Sequence, residues 1–429
     1  MLNMEIVSLF LIMFGLMALG VPIGFSIAMS AAFCFINFTN IPVNIVAQSA
    51  ITGLDSFPML ACPFFILAGA LMSEGGLAKR LVNVMQAFFG HLTGGLSIAT
   101  VVTCMFFGSI SGSATATVSS VGGFMVPEMK KRGYSSGYCA SLVSCAGSLG
   151  VFIPPSLTLV FYGLVTQTSI TDLFIATVPA GVLITLAMCA VSWYLSKKYN
   201  YPKEPKVPLK QALKAVWDAK WALFCPVIIL GGIYSGIFTA TEAAIVAVVY
   251  ALFTGVFVYR ELTPKKIYSV LLESMAINGM IMFLLAFATG FAKYVTMQQL
   301  PVKIVQFISG ITSNHILILF MINMLVLITG CVIDNVPNIM ILSPILLPLA
   351  MQAGLTPVEF GVIISVNTSI GLVTPPYGAD LFVGATLAKC KLEETFKTLM
   401  PMVIAQITCL LILTYFPKPM SWLVNLING

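Results

Sequence analysis

Charge is the scarcest property of this chain: 8% of its 429 residues are Asp, Glu, Lys or Arg. A soluble domain carries about 25% charged residues, so a water-facing surface over most of the molecule is excluded. Histidine is nearly absent. His91 and His315 stand alone, with no metal-ligand spacing around them, and read as structural. No GxxxxGK loop occurs, which argues against direct ATP use. No HExxH or GxSxG element is present, so neither hydrolase class is indicated and the chain is expected not to be an enzyme. The 10 cysteines lie mostly inside apolar runs and form no CxxC pair. They read as small buried side chains.

Apolar residues are what the chain has instead. They make up 59% of it, and the mean hydropathy is +1.01. Lipid must be the solvent for most of the sequence. Backbone polar groups find no water there, so spanning segments must be helices or a closed barrel. Runs of about 15–25 residues without alternation favour helices, giving an all-α integral membrane protein. Ile6–Gly20 lacks a basic flank and a small-residue cleavage site, and reads as a retained helix rather than a removed signal.

Polar, Pro and Gly punctuation separates the spans. Helices are expected near 5–20, 23–38, 57–73, 137–166 and 172–195, with a broken region at 94–127. A polar connector, Ser196–Lys220, follows. A second series is expected near 221–237, 240–259, 275–292, 358–388 and 399–416, with a broken region at 315–350. The two series align. Ser148-Leu-Gly-Val-Phe-Ile-Pro-Pro155 matches Ser369-Ile-Gly-Leu-Val-Thr-Pro-Pro376, and the same offset pairs Pro127 with Pro348, Gly133 with Gly354 and Ser144 with Ser365. One residue further, Gly108 pairs with Gly330. Residues 1–195 and 221–429 therefore read as two copies of one unit, joined by residues 196–220.

Each copy has five crossings plus a broken region, taken as a re-entrant hairpin. An odd count puts the second copy in the membrane upside down, an arrangement common in secondary transporters. Charge placement tests this. With the lysine-rich connector in the cytoplasm, all but Lys293, Lys303 and Lys418 of the 21 basic residues fall on that side. The net charge of +6 thus has a topological cause rather than a nucleic-acid one. Both termini are then periplasmic, if the membrane is a bacterial inner membrane. Trp193, Tyr194, Trp217, Trp221 and Trp422 fall near span ends, as interface anchors do.

The broken regions hold the candidate chemistry. Phe107–Ser120 is rich in Gly, Ser and Thr. Its hydroxyls either bond back to their own helix or line a polar cavity at a hairpin tip. Prolines at 154 and 155 remove backbone donors, so the helix before them should unwind and expose carbonyls from Gly147 to Phe152. Thr368–Pro376 repeats this device, opposite a second tip at Thr329–Pro337. A tip facing an unwound helix, twice, points to two cation sites. Asp334, beside Asn335, is the carboxylate most expected to hold an ion or solute, unless water in a vestibule solvates it. Asp380 and Glu242 lie near expected span ends and read as structural.

Phe107–Thr117, Gly150–Ser156 and Gly371–Gly378, in two inverted copies, resemble the large membrane subunit of tripartite ATP-independent periplasmic (TRAP) transporters. The resemblance spans Met4 to about Pro417. It implies an elevator-type ion transporter fold, in which a transport part moves against a scaffold. It also implies three partners: a separate small four-helix membrane subunit, a periplasmic substrate-binding protein and an acidic solute. Two sodium ions are expected. One would use Ser109, Ser111 and Ser113 with carbonyls near Gly147, Gly150, Phe152 and Pro154. The other would use Gly330, Val332, Asp334 and Asn335 with Gly371, Val373 and Thr374. Ser111, Ser113, Ser156, Asp334 and Thr374 are the expected solute contacts. No arginine lies near either tip, so hydroxyls and helix N-termini are left to hold a carboxylate. The resemblance leans to sialic acid, with C4-dicarboxylates next. The rival readings are a sodium:dicarboxylate symporter that needs no binding protein, a membrane enzyme and a channel.

Overall fold

A computed structural model describes residues 4–312, 314–375 and 378–428. Pro376, the last residue of the second Pro-Pro pair, lies outside the described residues. The described residues are helical, with no strand among them. The first half contains α1 (Met4–Ala18), α2 (Ile23–Phe38), α3 (Asn44–Leu54), α4 (Ala61–Glu74), α5 (Leu77–Phe89), α6 (Gly95–Ser111), α7 (Ala114–Lys131), α8 (Ser136–Gly147), α9 (Leu157–Thr166) and α10 (Ile170–Lys198). The connector carries α11 (Leu209–Asp218). The second half contains α12 (Lys220–Tyr234), α13 (Ala240–Phe253), α14 (Pro264–Met297), α15 (Leu300–Ile311), α16 (His315–Gly330), α17 (Asn335–Gln352), α18 (Pro357–Gly371), α19 (Ala379–Ala388) and α20 (Phe396–Tyr415), followed by α21 (Lys418–Asn428).

The halves run in parallel order. The α6–α7 hairpin matches α16–α17, broken α8/α9 matches α18/α19, and α10 matches α20. Several boundaries differ from expectation, each for a physical reason. The 137–166 and 358–388 spans are each two helices, broken before the prolines as expected, but the chain stays helical longer than expected: Ser148–Val151 is a 3-10 turn and α18 runs through Gly371. The 275–292 span grows into α14, 34 residues and about 50 Å long, because Lys265, Lys266, Ser269 and Glu273 extend it beyond the apolar stretch. α10 runs to Lys198, three residues past the expected end of the first copy, and much of the connector is helix. α3 was not anticipated, since Gln48, Ser49 and Thr52 interrupt its hydropathy. Nor was α5, which is amphipathic: Leu77, Leu81, Val84 and Met85 are buried while Lys79 and Asn83 are exposed.

Against the ten crossings expected, six helices among the described residues are individually long and apolar enough to cross a bilayer. One of the six is α17, an arm of the second hairpin. The other apolar helices have 10–17 residues, short of the roughly 20 that a bilayer asks of one helix. Within each broken pair, α8/α9 and α18/α19, two short pieces share the depth.

Packing sorts the helices by their place in each half. α1–α4 pack with α12–α14. The hairpins, the broken helices, α10 and α20 pack with one another. Each hairpin's second arm lies on the far piece of the other half's broken helix, α7 on α19 and α17 on α9. The outer group and the inner group therefore both draw on the two halves. Amphipathic α5 and α15 link them, α5 onto α6 and α15 onto α17.

Candidate functional site

The first hairpin turns at Gly112, whose φ of 62° is the left-handed conformation glycine adopts without strain. Space also demands glycine there, since a β-carbon would lie 2.8 Å from the carbonyl oxygen of Pro155. Ser113 then caps α7, its Oγ accepting from the Ala116 amide. The tip sits against Ser148–Val151, which follows α8 and which the sequence expects to unwind; instead it tightens into a single 3-10 turn. A β-carbon at Gly108 would lie 2.7 Å from the Cα of Gly150, and one at Gly150 would lie 2.8 Å from the Ser113 carbonyl oxygen. Oxygens gather at this contact. Ser111 Oγ is 2.9 Å from Thr117 Oγ1, which donates to the Ser113 carbonyl at 2.7 Å. Gly147 packs on Val118, so the whole 147–150 stretch follows the first turn of α7.

The side chains of three expected members of this site face elsewhere, although for Phe152 and Pro154 it is the backbone carbonyl that the sequence offers. Ser109 donates to the Phe106 carbonyl of its own helix at 2.7 Å. With Pro154 it lines an apolar crevice formed by Met105, Phe106, Ile153, Thr177, Gly181, Pro226 and others. Phe152 is buried in the core. Ser156 also leaves the expected solute set: it is fully buried, caps α9 by accepting from the Leu159 amide at 3.2 Å, and donates to the Val151 carbonyl.

The second tip repeats the backbone contact with different side chains. A β-carbon at Gly371 would lie 2.5 Å from the carbonyl carbon of Gly330 and 2.7 Å from its Cα. Asp334 is exposed and caps α17, accepting from the Asn335 amide at 2.7 Å. The Val332 side chain points out, and Thr374 donates to the Ile370 carbonyl at 2.7 Å. Val373 is buried. The polar atoms that face inward are amides. Asn335 Oδ1 and both polar atoms of Asn338 are buried with no hydrogen-bond partner among the described residues. Asn338 Nδ2 lies 3.5 Å from where a Gly330 β-carbon would be. A buried amide lacking a partner is costly, and an oxygen ligand to a cation is one role that removes the cost.

Sequence reasoning missed Thr117 and Asn338. Each is four residues beyond a tip residue it did single out, Ser113 and Asp334, and so one helical turn along the same face. Asp380 needs a larger correction. It is not at a hydrated span end but fully buried. Its Oδ1 accepts from Thr115 at 2.9 Å and its carbonyl accepts from Ser144 Oγ at 2.9 Å. A residue of the second broken helix thus ties down the first turn of the first hairpin's second arm. Glu242 does take the expected structural role, forming a capping box with Thr239.

A cavity of about 250 Å3 lies between the first hairpin and the outer group. The hairpin contributes Ser111, Ser113, Ala116, Ser119 and Ser120; α4 contributes Gly69, Ser73 and Glu74; α14 contributes Glu273, Ser274 and Ile277. Ser73 and Ser120 hydroxyls meet across it at 2.6 Å. Gly69 lets α4 approach the tip, because a β-carbon there would lie 2.9 Å from Ser111 Cα. Asp334 and Thr374 do not reach this cavity, and no lysine or arginine is among its described lining residues. Lys266, paired with Glu74 at 3.5 Å, is the nearby cation.

Sequence comparison supplies the family. The family model for the tripartite ATP-independent periplasmic transporter DctM component matches residues 10–419. The chain belongs to the DctM family of TRAP transporter large permeases. This DctM-family chain is 44% identical over 411 residues to the isethionate TRAP transporter permease protein DctMQ of Oleidesulfovibrio alaskensis. That match takes in 95% of the chain but 65% of the relative, so the chain spans under two thirds of that protein's length. It is 40% identical over 392 residues to the C4-dicarboxylate TRAP transporter large permease protein DctM of Pseudomonas aeruginosa, covering 91% of the chain and 92% of the relative. It is 34% identical over 412 residues to the sialic acid TRAP transporter permease protein SiaT of Haemophilus influenzae, covering 96% and 67%. The crystal structure of the YdaH transporter of Alcanivorax borkumensis shares the fold, with a TM-score of 0.58 at 13% identity over 88% of this chain and 89% of that one. The DctM-family chain is therefore an all-helical, multi-pass membrane permease.

Proposed function

We propose that this permease takes up a small organic acid across a bacterial inner membrane, driven by sodium. The solute is handed over by a periplasmic binding protein, and a small membrane subunit completes the complex. The observation that carries the reading is the matched pair of backbone contacts, Gly108 on Gly150 and Gly330 on Gly371. At each, a hairpin tip meets the end of the facing helix, a 3-10 turn at Gly150 and the last α-helical residue at Gly371, closely enough for one ion to touch both.

Sodium prefers oxygen ligands and needs no His/Cys cluster. In the first pair the oxygens of Ser111, Ser113 and Thr117 fit it. In the second, Asn335 and Asn338 fit it, with the backbone about Gly330 and Gly371. An ion bridging tip and helix would hold the hairpin down, and so shape the serine-lined cavity beside the first tip. The solute anion would meet hydroxyls of Ser111, Ser113, Ser119 and Ser120 and the start of α7, where the helix dipole favours negative charge.

The space beside the first tip supports a compact solute. About 250 Å3 is below the roughly 300–1,000 Å3 of drug-sized sites. This favours a compact acid, such as a short hydroxysulfonate or a C4-dicarboxylate, over the nine-carbon sugar acid to which the resemblance leans. The relatives at 44% and 40% identity are named for solutes of those compact classes. Transport would proceed by movement of the inner group of helices against the outer group, carrying hairpins and solute together.

Reconstituted liposomes test the proposal. Uptake of isethionate and succinate is measured with and without binding protein, and with and without an inward sodium gradient. Accumulation that needs both supports the reading. Accumulation that continues with the sodium gradient collapsed overturns the coupling.

A further inference from the structure

A second cavity, of about 460 Å3, opens where α5, α11, the start of α12 and the chain after α13 meet. It has no part in the transport site. Lys79, Arg80, Asn83, Trp217, Asp218, Lys220, Trp221, Tyr259 and Glu261 line it. Arg80 is already occupied: it pairs with Glu261 at 2.7 Å and lies 3.7 Å from the centre of the Tyr259 ring. Lys79 and Lys220 form no ion pair among the described residues. Lys220 instead rests 3.6 Å from the centre of the Trp217 ring. Asp218 is the one lining carboxylate outside the Arg80 pair, and an adjoining recess adds Lys214. The free charge around the cavity is positive.

The neighbouring helix fixes where this cavity lies. α11 exposes Leu209, Leu213 and Trp217, spaced four apart on one face. An apolar stripe on a short lysine-bearing helix is the pattern of a helix lying in the membrane interface. α12 leaves it at a bend of 56° and starts a spanning segment at Lys220. Trp217 and Trp221 at that bend suit the headgroup level. The cavity therefore opens at the depth of phospholipid phosphates, with unpaired ammonium groups at its wall.

We propose that this cavity is a binding site for the headgroup of an anionic glycerophospholipid, its phosphate held by Lys79 and Lys220. Trp217 and Trp221 flank the glycerol region, and the α11 stripe lies among the acyl chains of the same leaflet. The site joins amphipathic α5, which packs on the first hairpin's α6, to α12 of the outer group. A lipid held there would brace the two groups at the membrane surface.

The test uses the full chain, with any small membrane subunit that copurifies, and native mass spectrometry to count retained lipid. Phosphatidylglycerol, phosphatidylcholine and glycerol 3-phosphate are the probes. The wild type is expected to retain phosphatidylglycerol over phosphatidylcholine. Lys79→Gln and Lys220→Gln should each weaken that binding about fivefold, from roughly 1 kcal/mol per interfacial lysine. Lys210→Gln, on α11 but outside the cavity, should change it less than twofold. Size-exclusion profiles and unfolding midpoints separate lost binding from lost folding, and either lysine variant serves if the other misfolds. Equal phosphatidylglycerol retention in wild type and both lysine variants overturns the proposal. So does lysine-dependent binding of glycerol 3-phosphate as tight as that of the lipid, or loss of the lipid whenever the small subunit is present.

Discussion

Gly371→Ala tests the contact on which the second ion site depends. The added β-carbon would lie 2.5 Å from the Gly330 carbonyl carbon and 2.7 Å from its Cα. Both are backbone atoms, with no side-chain torsion to turn away, so relief requires the hairpin to part from α18 by on the order of 1 Å, given normal carbon contacts of about 3.5–4.0 Å. Overpacking of this kind costs about 1–3 kcal/mol. If the ion binds only when tip and helix touch, the whole cost appears as weaker sodium binding, about 5- to 150-fold. Sodium-dependent uptake in proteoliposomes reads this as a raised half-saturation for sodium, with solute half-saturation at saturating sodium changed much less. Gly123→Ala is the control: it lies in α7, and an added β-carbon meets nothing within 4 Å. It should leave transport unchanged and favour the helix by up to about 1 kcal/mol. A well-folded Gly371→Ala protein with wild-type sodium dependence would refute the reasoning.

Other substitutions separate residues that the sequence treats alike. Ser109→Ala should change sodium half-saturation less than twofold, since its hydroxyl is satisfied within α6 and faces an apolar crevice; Ser111→Ala should raise it about fivefold or more, through loss of roughly 1 kcal/mol of bonding. Asn338→Ala should abolish the second ion's contribution, seen as a fall in the Hill coefficient for sodium, and Asn338→Asp should restore part of it by keeping the oxygen. Ser73→Ala removes the 2.6 Å bond to Ser120 and should destabilise the present arrangement of outer group and hairpin by about 1 kcal/mol; accessibility of a reporter cysteine at Ser119 would register the population change.

The sequence reaches the backbone of the site and stops at its side chains. Two proline-terminated breaks in register were enough to pair Gly150 with Gly371 and Gly108 with Gly330, because a close backbone approach leaves glycine as its trace. The serines were harder. Ser109, Ser111 and Ser113 alternate in sequence, but α6 continues to Ser111. Residues two apart on a helix lie roughly 200° around it, so Ser109 and Ser111 face opposite sides. Asp380 was misplaced because hydropathy sees only its distance from a span end, whereas α19 is packed between α7 and α8. Nothing in the sequence marks that sandwich. α5 and α15 escaped a hydropathy reading because a few polar residues interrupt each short apolar run, Lys79, Arg80, Asn83 and Gln86 in α5 and Lys303 and Gln306 in α15. The cavity against α4 and α14 joins residues more than 150 positions apart, such as Ser120 and Ser274, and required the fold.

Equilibrium binding of radiolabelled solute to the purified permease complex, with sodium titrated at constant ionic strength by potassium, is the most direct test of ion-assembled solute binding. The account predicts that solute affinity rises with sodium along a curve whose Hill coefficient exceeds one, and that the coefficient falls in Gly371→Ala. Solute affinity that is the same in potassium as in sodium would contradict it.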